Sequence, residues 1–343
     1  MVRRRRPTPE VYIGPQHEKA LMASTNTGIE WTDYTWNILR GCTRVSPGCG
    51  GPGPYGGCYA ERLAMRFSGP GQPYHGLVKS TPAGPRWTGE VRFVAEALTL
   101  PLRWRTPRRT FVNSMSDLFH EKVTNDIIAK VFGVMMLAPQ HTFQVLTKRP
   151  ERMLAWMRWI SECADGPMTR CYLEAQDTIG FVNIPSTARA AFGRDDFAWP
   201  LPNVWLGVSV EDQATARERW AYLRDTPAAL RWISYEPALA GVDFVEAEIL
   251  PRRRYAAEIE KMNGVSADWI VAGGESGPGA RPPHPQWFRS ARDQCHAANV
   301  PYFFKQWGEW APHPEPPIPG MNRIGKKAAG ALLDGREWRE FPR

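Results

Sequence analysis

The chain has 343 residues, 43% hydrophobic and 23% charged, which are globular values sufficient for a substantial core in one large domain or two smaller ones. Its formal net charge of +8 and pI near 9.3 favour a polyanionic partner, nucleic acid first. No run approaches the roughly 18 apolar residues of a membrane span, and the basic start Arg3–Arg6 leads into Pro7 and Pro9 instead of an apolar secretory core. No membrane association and a cytoplasmic location are therefore expected.

Residues 1–27 read as a basic, flexible arm. After them, short β-branched or aromatic runs predict strands at Trp36–Arg40, Thr110–Asn113, Thr142–Thr147, Val204–Val210, Leu230–Tyr235, Trp269–Ala272 and Pro301–Phe304. Helical spacing of apolar residues predicts helices over Asn125–Leu137, Pro150–Ile160, Glu211–Arg224 and Pro285–Ala298. Strand, crossover helix, strand, repeated in this way, implies a parallel sheet. The absence of G-x-G-x-x-G after the first strand counts against a dinucleotide-binding sheet. A polar or charged cluster at the end of nearly every strand instead suits a β/α barrel, whose strand ends share one mouth. The expected architecture is thus an α/β chain with a TIM-type β/α barrel, complete or partial, over residues 28–310. An insertion after the third βα unit, about 161–200, reads as a small lid or substrate-reading segment. A Pro-rich linker and basic tail fill residues 311–343.

Half of the six cysteines fall in one block, Cys42-x6-Cys49-x8-Cys58-Tyr59, at a strand-to-helix turn. Three soft thiolates without a close fourth suit an iron–sulfur cluster with one open iron, or an incomplete zinc site. The zinc alternative would be completed by His75, Cys163 or Cys171, although zinc sites favour close pairs such as C-x2-C and none occurs here. At the other strand ends, Ser114, Ser116 and Asp117 offer acceptors to an ammonium, or else cap a helix. Lys148 and Arg149 are cations for a carboxylate, ribose or phosphate, or else a solvated pair. Glu211, Glu236 and Glu275 could accept ribose hydroxyls, hold a base edge or move protons. Gly273 and Gly274 allow close backbone approach to a ligand, or make a tight turn. Lys305 and Trp307 are candidates for substrate phosphate and base stacking, whereas Trp31 and Trp36 read as structural.

The cysteine block and strand-end clusters together resemble the radical S-adenosylmethionine superfamily. More narrowly, the chain is similar to a phage-associated three-cysteine-motif family whose members resemble the DNA-repair spore photoproduct lyases. The segments that carry this likeness include Gly28–Asp33, Thr35–Asn37, Tyr59–Arg62, Asn113–Phe119, Leu146–Met153, Trp205–Glu211, Ser234–Pro237, Gly273–Gly277 and Phe304–Gly308. The resemblance implies a [4Fe–4S] cluster held by Cys42, Cys49 and Cys58, with S-adenosyl-L-methionine chelated by the fourth iron. It implies a 5′-deoxyadenosyl radical as the hydrogen-abstracting species and a reductant such as flavodoxin or ferredoxin.

On that reading the cofactor-binding residues are Tyr59, Ser114, Ser116, Asp117 and Lys148, with Ser209, Glu211, Gly273, Gly274 and Glu275. Lys148, Glu236 and Glu275 are the catalytic candidates, and Arg149, Lys305 and Trp307 face the substrate. The second cysteine gap departs from the family's usual two residues: here it is eight, Gly50–Gly57, with five Gly and two Pro that let a loop bulge and return. The expected function is modification or repair of a nucleobase in phage or host nucleic acid, the base being extruded to reach a barrel mouth. The alternatives are a non-catalytic, metal-stabilised nucleic-acid-binding protein and a radical enzyme acting on a small molecule or peptide.

Overall fold

Seven β-branched and aromatic runs form one parallel sheet in a computed structural model that describes residues 23–24, 27–50, 58–180, 198–251, 265–312 and 320–343. The Arg3–Arg6 run, Arg252–Arg254, residues 51–57 of the cysteine gap, residues 181–197 of the insertion and residues 313–319 of the Pro-rich run lie outside the described residues.

The strands are β1 (Ala23–Ser24), β2 (Tyr34–Trp36), β3 (Leu39–Arg40), β4 (Val78–Lys79), β5 (Arg86–Trp87), β6 (Arg92–Phe93), β7 (Arg109–Val112) and β8 (Thr142–Thr147). They continue with β9 (Val204–Val210), β10 (Leu230–Tyr235), β11 (Trp269–Gly273), β12 (Tyr302–Gln306), β13 (Trp310–Pro312) and β14 (Met321–Arg323). The helices are α1 (Tyr59–Met65), α2 (Ala95–Leu98), α3 (Asn125–Leu137), α4 (Pro150–Ser161), α5 (Pro167–Ile179), α6 (Gln213–Asp225), α7 (Pro285–Ala297) and α8 (Lys326–Ala329).

The main sheet has the order β1-β2-β7-β8-β9-β10-β11-β12. β1 is antiparallel to β2, and the other seven strands are parallel and curl into a half-barrel. Among the described residues no ladder joins the two edges of the curl.

Several boundaries shift by one or two residues from the sequence expectation, and two of the changes have a local reason. The single strand expected over Trp36–Arg40 is split into β2 and β3. Asn113, in the left-handed region at φ 61°, turns its Oδ1 to accept from the N–H groups of Ile38 (3.1 Å) and Leu39 (3.2 Å), and β3 pairs with β6. α6 starts at Gln213 because Asp212 is its cap, accepting from the Thr215 N–H at 2.8 Å while Thr215 Oγ1 accepts from the Asp212 N–H. Glu211 is thereby left in the turn between strand and helix, free to face the strand ends.

Side chains alternate across a strand, and the two faces of the curl carry different cores. Val112, Phe143, Val145, Leu206, Val208, Ile233, Ile270 and Phe304 face the helical layer in the main core. The opposite, concave face is plugged by aromatics: Trp31, Trp232, Trp269, Val271 and Phe303 are buried there with Phe111 and Trp205 against them. Trp31 stands edge-on to Trp232 at 5.0 Å and 4.8 Å from Phe111, so it closes the floor of the curl. Gly207 admits the Trp232 indole, since a Cβ there would lie 2.5 Å from its ring atoms. Above this floor the same face continues, by the period of two, into Lys148, Ser209, Glu211, Glu236, Glu275 and Lys305.

Two expectations for the outlying segments are corrected. The described part of the insertion is α5, which packs on α3 so closely that a Cβ at Gly133 would lie 2.2 Å from the Cys171 carbonyl oxygen. α5 itself extends the helical layer instead of standing over the strand ends; wholly buried Cys171 lies in that layer, whereas Cys42 and Cys58 pack against a different cluster. The C-terminal residues are not a free tail either. The Phe304 N–H donates to the Trp338 carbonyl (2.9 Å), and Glu340 accepts from the Tyr302 N–H (2.9 Å), so residues 338–340 cover the edge of β12. No helix among the described residues is long and apolar enough to cross a membrane.

Gly207→Ala should destabilise the protein by about 1–3 kcal/mol through overpacking against Trp232. Chemical denaturation reads this; an unchanged midpoint would contradict the tight floor.

Candidate functional site at the strand ends

The carboxyl ends of the parallel strands bring together most of the residues singled out in the sequence. Cys42 follows β3, Cys49 ends a 3-10 turn at Pro47–Cys49, and Cys58 precedes α1. All three are free, partly exposed thiols. Burial, then the Asp117 carboxylate, pushes the Cys42 thiol up to about 12; Arg149 opposes this, while Cys58 and Cys49 add to it. Cys49 Sγ accepts from the Val45 N–H (3.5 Å) and Cys42 Sγ donates to the Thr43 carbonyl (3.4 Å). Among the described residues no three His, Cys, Asp or Glu side chains converge as a ready-made metal cage. Taking up a metal would therefore require these thiols to lose their protons and turn from their local bonds. In donor chemistry, three thiols from one loop fit an iron–sulfur cluster.

What fixes the loop is a buried carboxylate. Glu211 is fully buried, and its Oε1 accepts from Ser46 Oγ (2.8 Å), from Arg219 (3.1 Å) and from Lys148 Nζ. A Cβ at Gly48 would lie 2.3 Å from the same oxygen, so the loop backbone lies flat on the carboxylate and a side chain there would push Glu211 from its partners. Burial alone would raise the Glu211 pKa, but Lys148 and then Arg219 outweigh it and hold the carboxyl below its ordinary range. Lys148 also donates to Ser209 Oγ (2.6 Å), and Ser209 donates to the Glu236 carbonyl (3.1 Å). Next along the rim, Lys305 pairs with Glu236 at 2.7 Å. The side chains of Lys148, Glu236 and Lys305 keep 13–20% exposure and are the charged groups that a ligand in the mouth can reach.

Other sequence candidates are committed to the protein itself. Asp117 accepts from Thr147 Oγ1 (2.8 Å), the Lys148 N–H (3.1 Å) and Arg149 (3.0 Å), so it neither holds a free ammonium nor caps α3, whose cap is Thr124. Arg149 is the companion hub: it donates to Asp117, Glu121 and the Thr43 carbonyl (3.2 Å), and lies 3.9 Å from Cys42 Sγ. It braces the first cysteine instead of standing solvated. Ser116 donates to the Leu39 carbonyl (3.0 Å) and Ser114 to Asn37 Oδ1 (3.1 Å), while Tyr59 donates its hydroxyl to the Ser114 carbonyl.

Gly273 packs beside the Glu236 carboxyl, and Gly274 is flush with the Trp307 carbonyl, 1.9 Å from where a Cβ would be. Both glycines thus lie in close contact with other parts of the chain. Trp307 corrects the base-stacking expectation: it is 3% exposed, donates to the Leu332 carbonyl (2.8 Å) and packs on Phe288 and Phe304. Glu275 is gripped by Arg281. Trp36 is structural as expected, fully buried and donating to the Ala97 carbonyl at 2.7 Å.

Several residues of the site carried no role in the sequence reading. Glu61, in the Tyr59–Arg62 motif, is buried and accepts from Arg44 (2.6 Å) and the Trp87 N–H (3.1 Å), which ties α1 to the cysteine loop. Gly48, a glycine inside a short cysteine spacer, was the one available hint of a close approach. Ser46, Arg219 and Arg281 have no sequence signal, because nothing local distinguishes them from surface polar residues.

Glu211→Gln should cost about 3 kcal/mol, because it leaves two cations facing a neutral amide. A depressed carboxyl pKa contributes stability above its unfolded value of about 4.3, and that stability is lost as pH falls through the folded value. The parent should therefore lose stability more steeply than Glu211→Gln on acidification in urea titrations; parallel curves would contradict the pairing.

No curated protein and no solved structure matches the chain. A family model described as "Protein of unknown function (DUF5131)" matches residues 26–342.

Proposed function

The chain belongs to the DUF5131 family, and from its site we propose that it is an iron–sulfur enzyme of the radical S-adenosylmethionine kind acting on a nucleobase in nucleic acid. The observation that carries this reading is the docking of one loop with three free thiols over the carboxyl ends of a parallel half-barrel. We read that sheet as the partial β/α barrel of such enzymes, in which strand ends form the reaction chamber.

In this reading Cys42, Cys49 and Cys58 hold a [4Fe–4S] cluster. Bound there, a cluster would supply the one-electron reducing chemistry that splits the S-adenosylmethionine sulfonium, with methionine as the leaving group. The chain's own residues position and shield. Lys148, oriented by Glu211 and Ser209, offers a cation, and the Glu236–Lys305 couple offers both signs of charge to the cofactor's amino and carboxylate groups. The aromatic floor around Trp31 and Trp232 closes the chamber from below and excludes water. The net charge of +8 supports a nucleic-acid substrate, whose phosphates would be neutralised by surface arginines. Electrons would come from a small protein reductant of the flavodoxin or ferredoxin type.

Anaerobic reconstitution should give a brown protein with about four irons per chain and absorption near ~400 nm. Reduction with S-adenosylmethionine should then release 5′-deoxyadenosine, and Cys49→Ala should abolish both colour and product. A colourless protein carrying stoichiometric zinc, or product persisting in Cys49→Ala, would overturn the reading.

A further inference from the structure

We propose that Arg281 is a positioning residue that locks the turn bearing Cys49 onto the end of β11. Its guanidinium forms a closed fork with Glu275, Nε to Oε2 at 2.7 Å and the terminal nitrogen to Oε1 at 2.9 Å, while its backbone N–H also donates to Oε2 at 2.9 Å. The same terminal nitrogen donates to the Pro47 carbonyl at 2.9 Å, across 234 residues of sequence. That carbonyl also accepts from the Gly50 N–H (3.1 Å) and so closes the 3-10 turn that ends at Cys49. Arg281 therefore holds one of the two carbonyl oxygens that close the turn, the other being Ser46's, which accepts from the Cys49 N–H at 2.9 Å.

The anchor behind Arg281 is rigid. The Glu275 carbonyl accepts from the Glu309 N–H (3.0 Å), and a Cβ at Gly308 would lie 2.1 Å from that carbonyl oxygen, so two backbones are pressed together there. Glu309 Oε1 in turn accepts from the Gly277 N–H (3.0 Å). Glu275 thus acts through Arg281: both its oxygens accept from the fork. With Ser46 held by Glu211 on one side and Pro47 by Arg281 on the other, residues 46–49 are gripped from two strand ends, β9 and β11. A charged, bidentate fork is a strong and directional contact, and lysine cannot reproduce it.

The inference rests on the proposed function only for what Cys49 would bind; its test needs no metal. In metal-free protein, carbamidomethylation of each cysteine by iodoacetamide is followed by mass spectrometry. In Arg281→Met the rate at Cys49 relative to Cys42 should rise about tenfold, the local opening expected from losing one charged hydrogen bond. Arg281→Lys should fall between parent and Arg281→Met. If Arg281→Met does not fold, the same ratio in Arg281→Lys and Arg281→Gln decides. A ratio equal to the parent's, or equal quickening of Cys42, Cys49 and Cys58, would overturn the proposal. Failure to bind iron would leave this ratio unaffected and would count against the functional reading alone.

Discussion

The buried carboxylate of Glu211 is the interaction on which the candidate site depends. A charge out of water must be compensated, and here Lys148, Arg219 and Ser46 do so together. The compensation has a geometric consequence, because these partners come from different parts of the fold. Lys148 ends β8, Arg219 projects from α6, and Ser46 belongs to the cysteine loop. Among the described residues of that loop, the regular structure is the turn Pro47–Cys49. Its place over the strand ends follows from electrostatics and from the absence of a side chain at Gly48, not from a ladder or a helix.

The rest of the rim repeats the pattern. Asp117 with Arg149, Glu236 with Lys305, and Glu275 with Arg281 each join a carboxylate to a cation at a strand end or its following loop. These couples differ in exposure. Asp117–Arg149 is nearly sealed and braces Cys42, whereas Glu236–Lys305 remains within reach of the mouth. Structural and ligand-facing charges can thus alternate around one opening, and a ligand carrying both signs can exchange with the accessible couple without leaving an unpaired charge. The aromatic floor below supplies the low-dielectric base that strengthens such exchanges.

Much of the fold was legible in sequence because its signals are local. β8, β9 and β10 have the bounds that their β-branched runs predict, and α3 has those predicted by its apolar spacing. Two of the boundaries that moved were set by single polar side chains: Asn113 breaks β2 from β3, and Asp212 delays α6. The C-terminal segment was misread because its polar composition hides the few contacts, from Trp338 and Glu340, that fasten it to β12. In the candidate site, the residue types at strand ends fall on one rim, as their place in the sequence suggested, but sequence did not show who holds whom. Arg149, Glu275 and Asp117 looked like ligand groups because unpaired charge is what a sequence displays. Trp307 looked like a stacking surface because exposure is invisible in sequence. The partners that reassign them, such as Arg281 and Ser46, lie far away in the chain.

The hold of Glu211 on the cysteine loop is tested most directly by a double-mutant cycle between Ser46→Ala and Glu211→Gln, read by chemical denaturation of the metal-free protein. Residues in one buried network should couple by about 1 kcal/mol or more, so the double variant should be less destabilised than the sum of the single ones. Additivity within about 0.3 kcal/mol would contradict a loop docked on that carboxylate.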